Sequence, residues 1–242
     1  MANLVMTDCT VFVGGYDFTA DSNKLSLKAE VEDKENTTFG GNGWKSRVGG
    51  IRDVTLDTEG YWQSATTDAI DPQTFGNLGT ANRAVTVSAT GAAASPAYFF
   101  QGGSFNYEMF GAIGDVTPFA LGHKGTSKYG LIRGQVTKSK GLVSATGALG
   151  SAVDLGNAAN GQTVYASVHV FSAGTTITLT LERDDNAGFA SPTTIHTLSP
   201  ITSAGSTFIV QSTSFSTNNF YRFNATVITG SFTLAAAIGI GS

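Results

Sequence analysis

The chain has 242 residues, 30 of them glycine, with only 13% charged residues and a net charge of −4. That length suits one large or two ordinary β domains, and 41% hydrophobic content excludes a disordered chain. The mild acidity gives no support for tight nucleic-acid binding, which needs basic patches, and the single Cys9 excludes an intrachain disulfide or a multi-cysteine zinc site.

Met1 to Asp8 is too short and too polar for a signal peptide, so synthesis in the cytoplasm without export is expected. After an opening element Val11–Thr19, the residues Leu25, Leu27, Ala29 and Val31 alternate with Ser26, Lys28, Glu30 and Glu32. Period two with one apolar and one charged face predicts a strand. A long, glycine-punctuated polar connection follows, Thr37 to Asp53, carrying Phe39 and Trp44. Connections of that length are usually functional or disordered, and two large aromatics want a surface to bury against. That surface is either a partner molecule or, for Trp44, the chain's own sheet. Beyond it, Val54, Leu56 and Trp62 alternate with Thr55, Asp57, Glu59 and Tyr61, predicting a second strand with an acidic face.

The carboxylates Glu30, Glu32, Asp33 and Glu35, with Asp57 and Glu59, could in principle form a glycosidase pair. Their interleaving with Lys28 and Lys34 reads more simply as a solvated strand face. Asp71 to Gly79 predicts a short helix, with Asp71 as cap, Pro72 at the first helical position and Gly79 as the stop. Strands are expected near 84–89, 98–101, 104–109, 116–121 and 131–136.

Charge density then breaks. Residues 1–140 hold 12 Lys/Arg and 14 Asp/Glu, whereas 141–242 hold 2 and 4. The small-residue stretch 138–148 reads as a linker between a first domain, 1–140, and a second, 141–242. In the second half, Val164, Ala166, Val168 and Val170 alternate with Tyr165, Ser167, His169 and Phe171. Ile177, Leu179 and Leu181 alternate with threonines, and further strands are expected near 193–198, 207–211, 221–227 and 232–240. Strands at this spacing predict a small β-sandwich. Glu182 to Gly188 reads as a polar hairpin turn rather than a calcium loop, because it lacks the D-x-D-x-D-G spacing. The apolar run Leu234–Ile240 is too short to span a membrane.

Catalytic signatures are missing from the sequence. His123, His169 and His196 stand alone and read as surface or turn residues. There is no nucleophile elbow, dinucleotide fingerprint or phosphate loop.

The ordered set Val11-Phe12-Val13-Gly14-Gly15-Tyr16-Asp17-Phe18-Thr19, Thr37-Thr38-Phe39-Gly40, Gly43-Trp44-Lys45-Ser46-Arg47, Gly49-Gly50-Ile51-Arg52-Asp53, Gly60-Tyr61-Trp62 and Gly114-Asp115-Val116-Thr117-Pro118-Phe119 resembles the major tail (tail tube) protein of long-tailed bacteriophages, siphovirus type. The resemblance covers the first 55–60% of the chain. It implies a mainly β tail-tube-type sandwich or barrel with one short helix and a long inter-strand loop. The second β-sandwich would then sit on the outside of the tube. It further implies a non-enzymatic virion protein without cofactor or metal. Such a protein forms stacked rings, taken as hexamers, that meet other tail proteins at the tube ends and let DNA pass without sticking. Under that reading Thr37, Thr38, Phe39, Trp44 and Arg47 contact a neighbouring subunit, and Glu30, Glu32, Asp57 and Glu59 are candidates to face the lumen. A carbohydrate-binding sandwich, with Tyr165, Phe171, Phe220 and Tyr221 stacking on sugar, is the alternative.

Overall fold

The computed structural model describes residues 8–39, 43–67, 69–212 and 217–241. They form fifteen strands and one helix: β1 Thr10–Val13, β2 Tyr16–Asp17, β3 Ser22–Glu35, β4 Arg47–Tyr61, α1 Ile70–Phe75, β5 Arg83–Ser88, β6 Pro96–Met109, β7 Pro118–Gly125, β8 Ile132–Val143, β9 Gly147–Asp154, β10 Thr163–Ser172, β11 Thr176–Asp184, β12 Thr193–Thr197, β13 Gly205–Ser212, β14 Phe220–Thr229 and β15 Phe232–Gly241. The fold is mainly β, of sandwich and barrel type, as the composition led one to expect.

Eleven strands belong to one sheet, and β12-β11-β14-β9 make a second. The large sheet folds back on itself, so the molecule is a stack of β layers. The outermost layer is β3-β4-β7, and its inner face packs Val54, Leu56 and Leu121 onto Val11, Val13, Val85 and Val87 of β1 and β5. The far face of β1 and β5 meets β10 and β13. The opposite face of β10, carrying Val164, Ala166, Val168 and Val170, packs on Leu179, Leu181 and Phe223 of the second sheet. A layer in the middle of such a stack is buried on both sides, which is why β5 and β10 are buried along almost their whole length.

That layering corrects two expectations. His123 and His169 are not surface residues; both are about 1% exposed, on strands covered from both sides. His169 donates from Nδ1 to the Gly14 carbonyl at 2.8 Å and accepts from Thr86 Oγ1 at 2.7 Å through Nε2. It therefore joins the two halves of the chain with a polar cluster. The aromatics considered for sugar stacking are largely interior as well: Tyr165 and Tyr221 are buried, and Phe171 packs edge-on to Phe12 at 5.0 Å.

Several boundaries also differ. The helix begins at Ile70, after Ala69 in an extended conformation and with no side-chain cap. Asp71 instead accepts the Tyr107 hydroxyl at 3.1 Å. The stretch 138–148 is strand rather than free linker over most of its length, since β8 continues to Val143 and β9 starts at Gly147. The segments expected as two strands, 98–101 and 104–109, are one long β6. Gly102 and Gly103 let it pass between layers, because a Cβ there would lie 2.7 Å from the Lys124 carbonyl or 2.6 Å from that of Thr80.

Candidate functional site

Four strands form the outer layer in the order β3-β4-β7-β6, each antiparallel to the next. Register decides which side chains share a face. Ser26 lies opposite Asp57, Lys24 opposite Glu59, Lys28 opposite Thr55 and Glu30 opposite Asp53. Asp57 and Glu59 in turn face Gly122 and Ala120 of β7. Glu30, Asp57 and Glu59 therefore project from one exposed face, and Glu32 follows Glu30 on it by strand alternation. The structure brings all four candidate carboxylates together on that face. Lys24 binds Glu59 at 2.6 Å, Lys28 binds Glu30 at 2.5 Å, and Lys34 pairs with Glu32. Water screens these exposed pairs, so they add little stability; what they leave is a hydrated, mixed-charge surface with Asp57 free of any ion pair among the described residues.

Among the described residues the sheet has two unpaired margins. β3 pairs only with β4. At the other side, the 105–109 end of β6 is paired with β7 alone, because β5 and β8 pair only with 96–102. The strand directions alternate, and four is an even number. A second copy placed beside β6 by rotation presents its β3 antiparallel to it, so the pattern can repeat around a ring without a mismatch.

From this layer the β3–β4 hairpin projects as an arm. Residues 30–35 and 47–53 are exposed on both faces, about 20 Å of ladder at roughly 3.4 Å per residue. The ladder corrects the expected loop. The connection is 36–46, and Arg47 is a strand residue paired with Glu35 and bound to Asp33 at 3.2 Å. The Gly49–Gly50 pair sits within β4, beside a register shift that places an extra residue opposite Val31–Asp33. At the arm's end Asn36 donates to the Ser46 carbonyl at 2.9 Å, and Thr37 Oγ1 accepts the Ser46 amide at 3.0 Å. Thr38 is exposed beside them; Gly40 to Asn42 lie outside the described residues. Phe39 is 113% exposed and Trp44 82%, so neither aromatic folds back on its own sheet. Val31, Val48 and Ile51 on the arm are also exposed. A monomer that displays five large apolar side chains on one projection presents an interaction surface.

Among the described residues no group of three or more His, Cys, Asp or Glu is placed to hold a metal ion. In the turn after β11 the Asp184 carboxylate accepts the amides of Asp185 and Ser191 at 2.8 and 3.0 Å, so its oxygens serve the turn itself. Glu182 is buried and bound by Arg222 at 2.9 Å and Asn224 at 3.2 Å. Sequence reasoning does not say which strands carry the open margins, since alternation reveals faces and not neighbours.

No family model matches the chain, and no curated protein matches it. Among solved structures it is similar to a chain of the virion of the native gene transfer agent particle, with 13% identity and a TM-score of 0.42 over 53% of this chain and 98% of that one. It is also similar to a chain of the tail of the empty gene transfer agent particle, solved with C6 symmetry, at 14% identity and a TM-score of 0.39, over 50% and 92% of the two chains. A third similarity is to the SPP1 Dit (gp 19.1) protein, described as a paradigm of the hub adsorption apparatus in phages infecting Gram-positive hosts, at 11% identity and a TM-score of 0.39 over 97% and 99%. Superpositions this loose carry no functional argument, and the weight rests on the residues.

Proposed function

We propose that the chain is a structural virion protein that self-assembles into stacked rings forming the tail tube of a long-tailed phage, the conduit for DNA ejection. The observation that carries the reading is the open four-stranded sheet, whose two unpaired margins are of opposite direction and are related by rotation to a closed barrel. Unpaired edges of this kind are an aggregation hazard unless something covers them, and β3 is fourteen residues long. A neighbouring copy covers both at once.

The rest of the molecule is consistent with that ring. With the carboxylate face inward, Glu30, Glu32, Asp57 and Glu59 line the lumen, and a surface of net negative character repels the phosphate backbone as DNA slides. The second sheet, β12-β11-β14-β9, packs on the face of β10 turned away from the four-stranded sheet, which supports an outer position for it on the tube. The arm, with Thr37, Thr38, Phe39, Trp44 and Arg47, reaches a neighbouring subunit and buries its aromatics there. Rings of six copies follow from the family resemblance. The role is one of assembly rather than catalysis, and no cofactor enters it. The sugar-binding alternative loses its platform because Tyr165 and Tyr221 are interior.

Negative-stain electron microscopy of the purified protein tests the reading. Annular particles or tubes with a central hole are expected; dispersed single copies at high concentration would refute it.

A further inference from the structure

At the root of the arm an open cleft of about 840 Å³ separates the underside of β3–β4 from the connection between β7 and β8. Its floor is apolar, made by Val31, Val54, Leu131 and Ile132. Three cations surround that floor: Arg52, Lys128 and Arg133. None of them is in an ion pair among the described residues. Two carboxylates, Glu30 and Asp53, also reach the rim. Register places both on the opposite sheet face, and both are engaged: Glu30 by Lys28, and Asp53 by the Val54 amide at 2.8 Å. Lys128 also lies 5.5 Å over the Tyr129 ring, and Asp53 keeps its charge, so the cleft offers net positive charge beside an apolar floor.

The complementary feature lies at the other end of the same sheet. The loop 110–117 joins β6 to β7 beside Tyr61, whereas the cleft begins past Gly125. The length of β7 separates them, about 24 Å at roughly 3.4 Å per residue. Ile113 at the loop's tip is 108% exposed, with Phe110 and Val116 exposed on either side. Phe110 has φ 72, a left-handed conformation that is rare for a bulky residue. It is braced against Trp62 at a ring separation of 5.7 Å. Two carboxylates flank the apolar tip, Glu108 and Asp115, and neither is in an ion pair among the described residues.

We propose that the 110–117 loop of one copy seats in the arm-root cleft of a second copy, with Phe110, Ile113 and Val116 on the apolar floor and Glu108 and Asp115 against Arg52, Lys128 and Arg133. Knob and cleft sit at opposite ends of one sheet, so the contact is head to tail and repeats along the strand direction. This deepens the tube reading, on which it rests, by naming the surfaces through which one ring meets the next.

The test uses three variants of the full chain: E108K/D115K on the knob, R52E/K128E/R133E on the cleft, and all five together. All five residues are exposed; unchanged circular dichroism melts verify that each variant folds, and face-on micrographs verify that each still closes rings, with D115K alone as the knob variant if E108K, on the 105–109 margin, opens them. Sedimentation velocity and stack length in electron micrographs are the readouts. Each partial variant is expected to weaken stacking by on the order of tenfold or more, because like charges then face one another. Pre-formed rings of the two partial variants, mixed, should stack in alternation where neither stacks alone, since one junction then pairs native knob with native cleft and the next pairs the two reversed surfaces. The five-fold variant should stack again. Partial variants that stack like the wild type, or a five-fold variant that stays unstacked, overturn the proposal while leaving the tube reading in place. A short DNA duplex that binds the wild type but not the cleft variant, with stacking unchanged, assigns the cations to phosphate and overturns it too. Wild-type protein that forms no rings defeats the tube reading itself.

Discussion

His169 and His123 share a fate and differ in their partners. Burial pushes both ring pKa values down to about 4, and the Arg83 guanidinium adds to the effect at each. His169 is fixed as the neutral tautomer with hydrogen on Nδ1, because that nitrogen faces the Gly14 carbonyl while Nε2 faces the Thr86 hydroxyl. His123 has no partner at hydrogen-bonding geometry on either nitrogen among the described residues; the Leu56 backbone approaches it without meeting that geometry. A depressed folded-state pKa means the unfolded chain binds protons first. The stability contributed is full above about pH 6.5 and is lost as pH falls toward 4, by up to about 3 kcal/mol per histidine. Urea unfolding at pH 7.5 and 4.5 should show that loss. H169L should cost about 2 kcal/mol at pH 7.5, since it strands the Gly14 carbonyl while the Thr86 hydroxyl keeps Ser167 Oγ at 2.8 Å, whereas H123L should stay within about 1 kcal/mol of wild type. Both should reduce the pH dependence; equal losses at pH 7.5 would contradict the hydrogen-bond assignment. The burial of His169 was legible only in part: Tyr165, Ser167, His169 and Phe171 alternate with valine and alanine, and none of the four is a charge that must face water.

At the level of elements, alternation read the strand cores correctly and missed their ends. β3 and β4 are clear from Leu25–Val31 and Val54–Tyr61, but the glycine pairs put 49–50 in the long connection and a break at 102–103. In the structure the first lies beside a register shift and the second is a bend inside a continuous strand. β9 escaped because Gly147–Asp154 is built of small residues with no clean period. The arm follows from the same physics: with both faces exposed it contributes little to the isolated fold. Replacing 36–46 by an Asn-Gly turn between Glu35 and Arg47 should move the monomer's melting temperature by about 2 °C or less. The same change should weaken self-association, as read by sedimentation velocity. A large fall in melting temperature, or unchanged association, would contradict the role given to Phe39 and Trp44.

The whole molecule is a stack of β layers with unequal ends. One end is a charged sheet with two open margins and an apolar arm; the other is a sandwich with few charges. The charge break near residue 140 made that inequality legible, although it was read as a linker. The chain in fact crosses the boundary on β8, which pairs with β6 at its start and with β15 along most of its length. Lys140 adds a tie there, bound to Asp17 at 2.7 Å and lying 4.9 Å over the Phe171 ring. What no periodicity could reveal is which strands lack neighbours, because that depends on contacts between distant segments.

The central claim is that the free β3 margin belongs beside residues 105–109 of another copy. A cryo-electron reconstruction of the assembled protein tests it directly. It should show β3 of each copy antiparallel to the 105–109 segment of the next, closing a barrel with Glu30, Glu32, Asp57 and Glu59 in its lumen. Assembled particles in which β3 lies open to solvent, or in which those carboxylates face outward, would contradict the account.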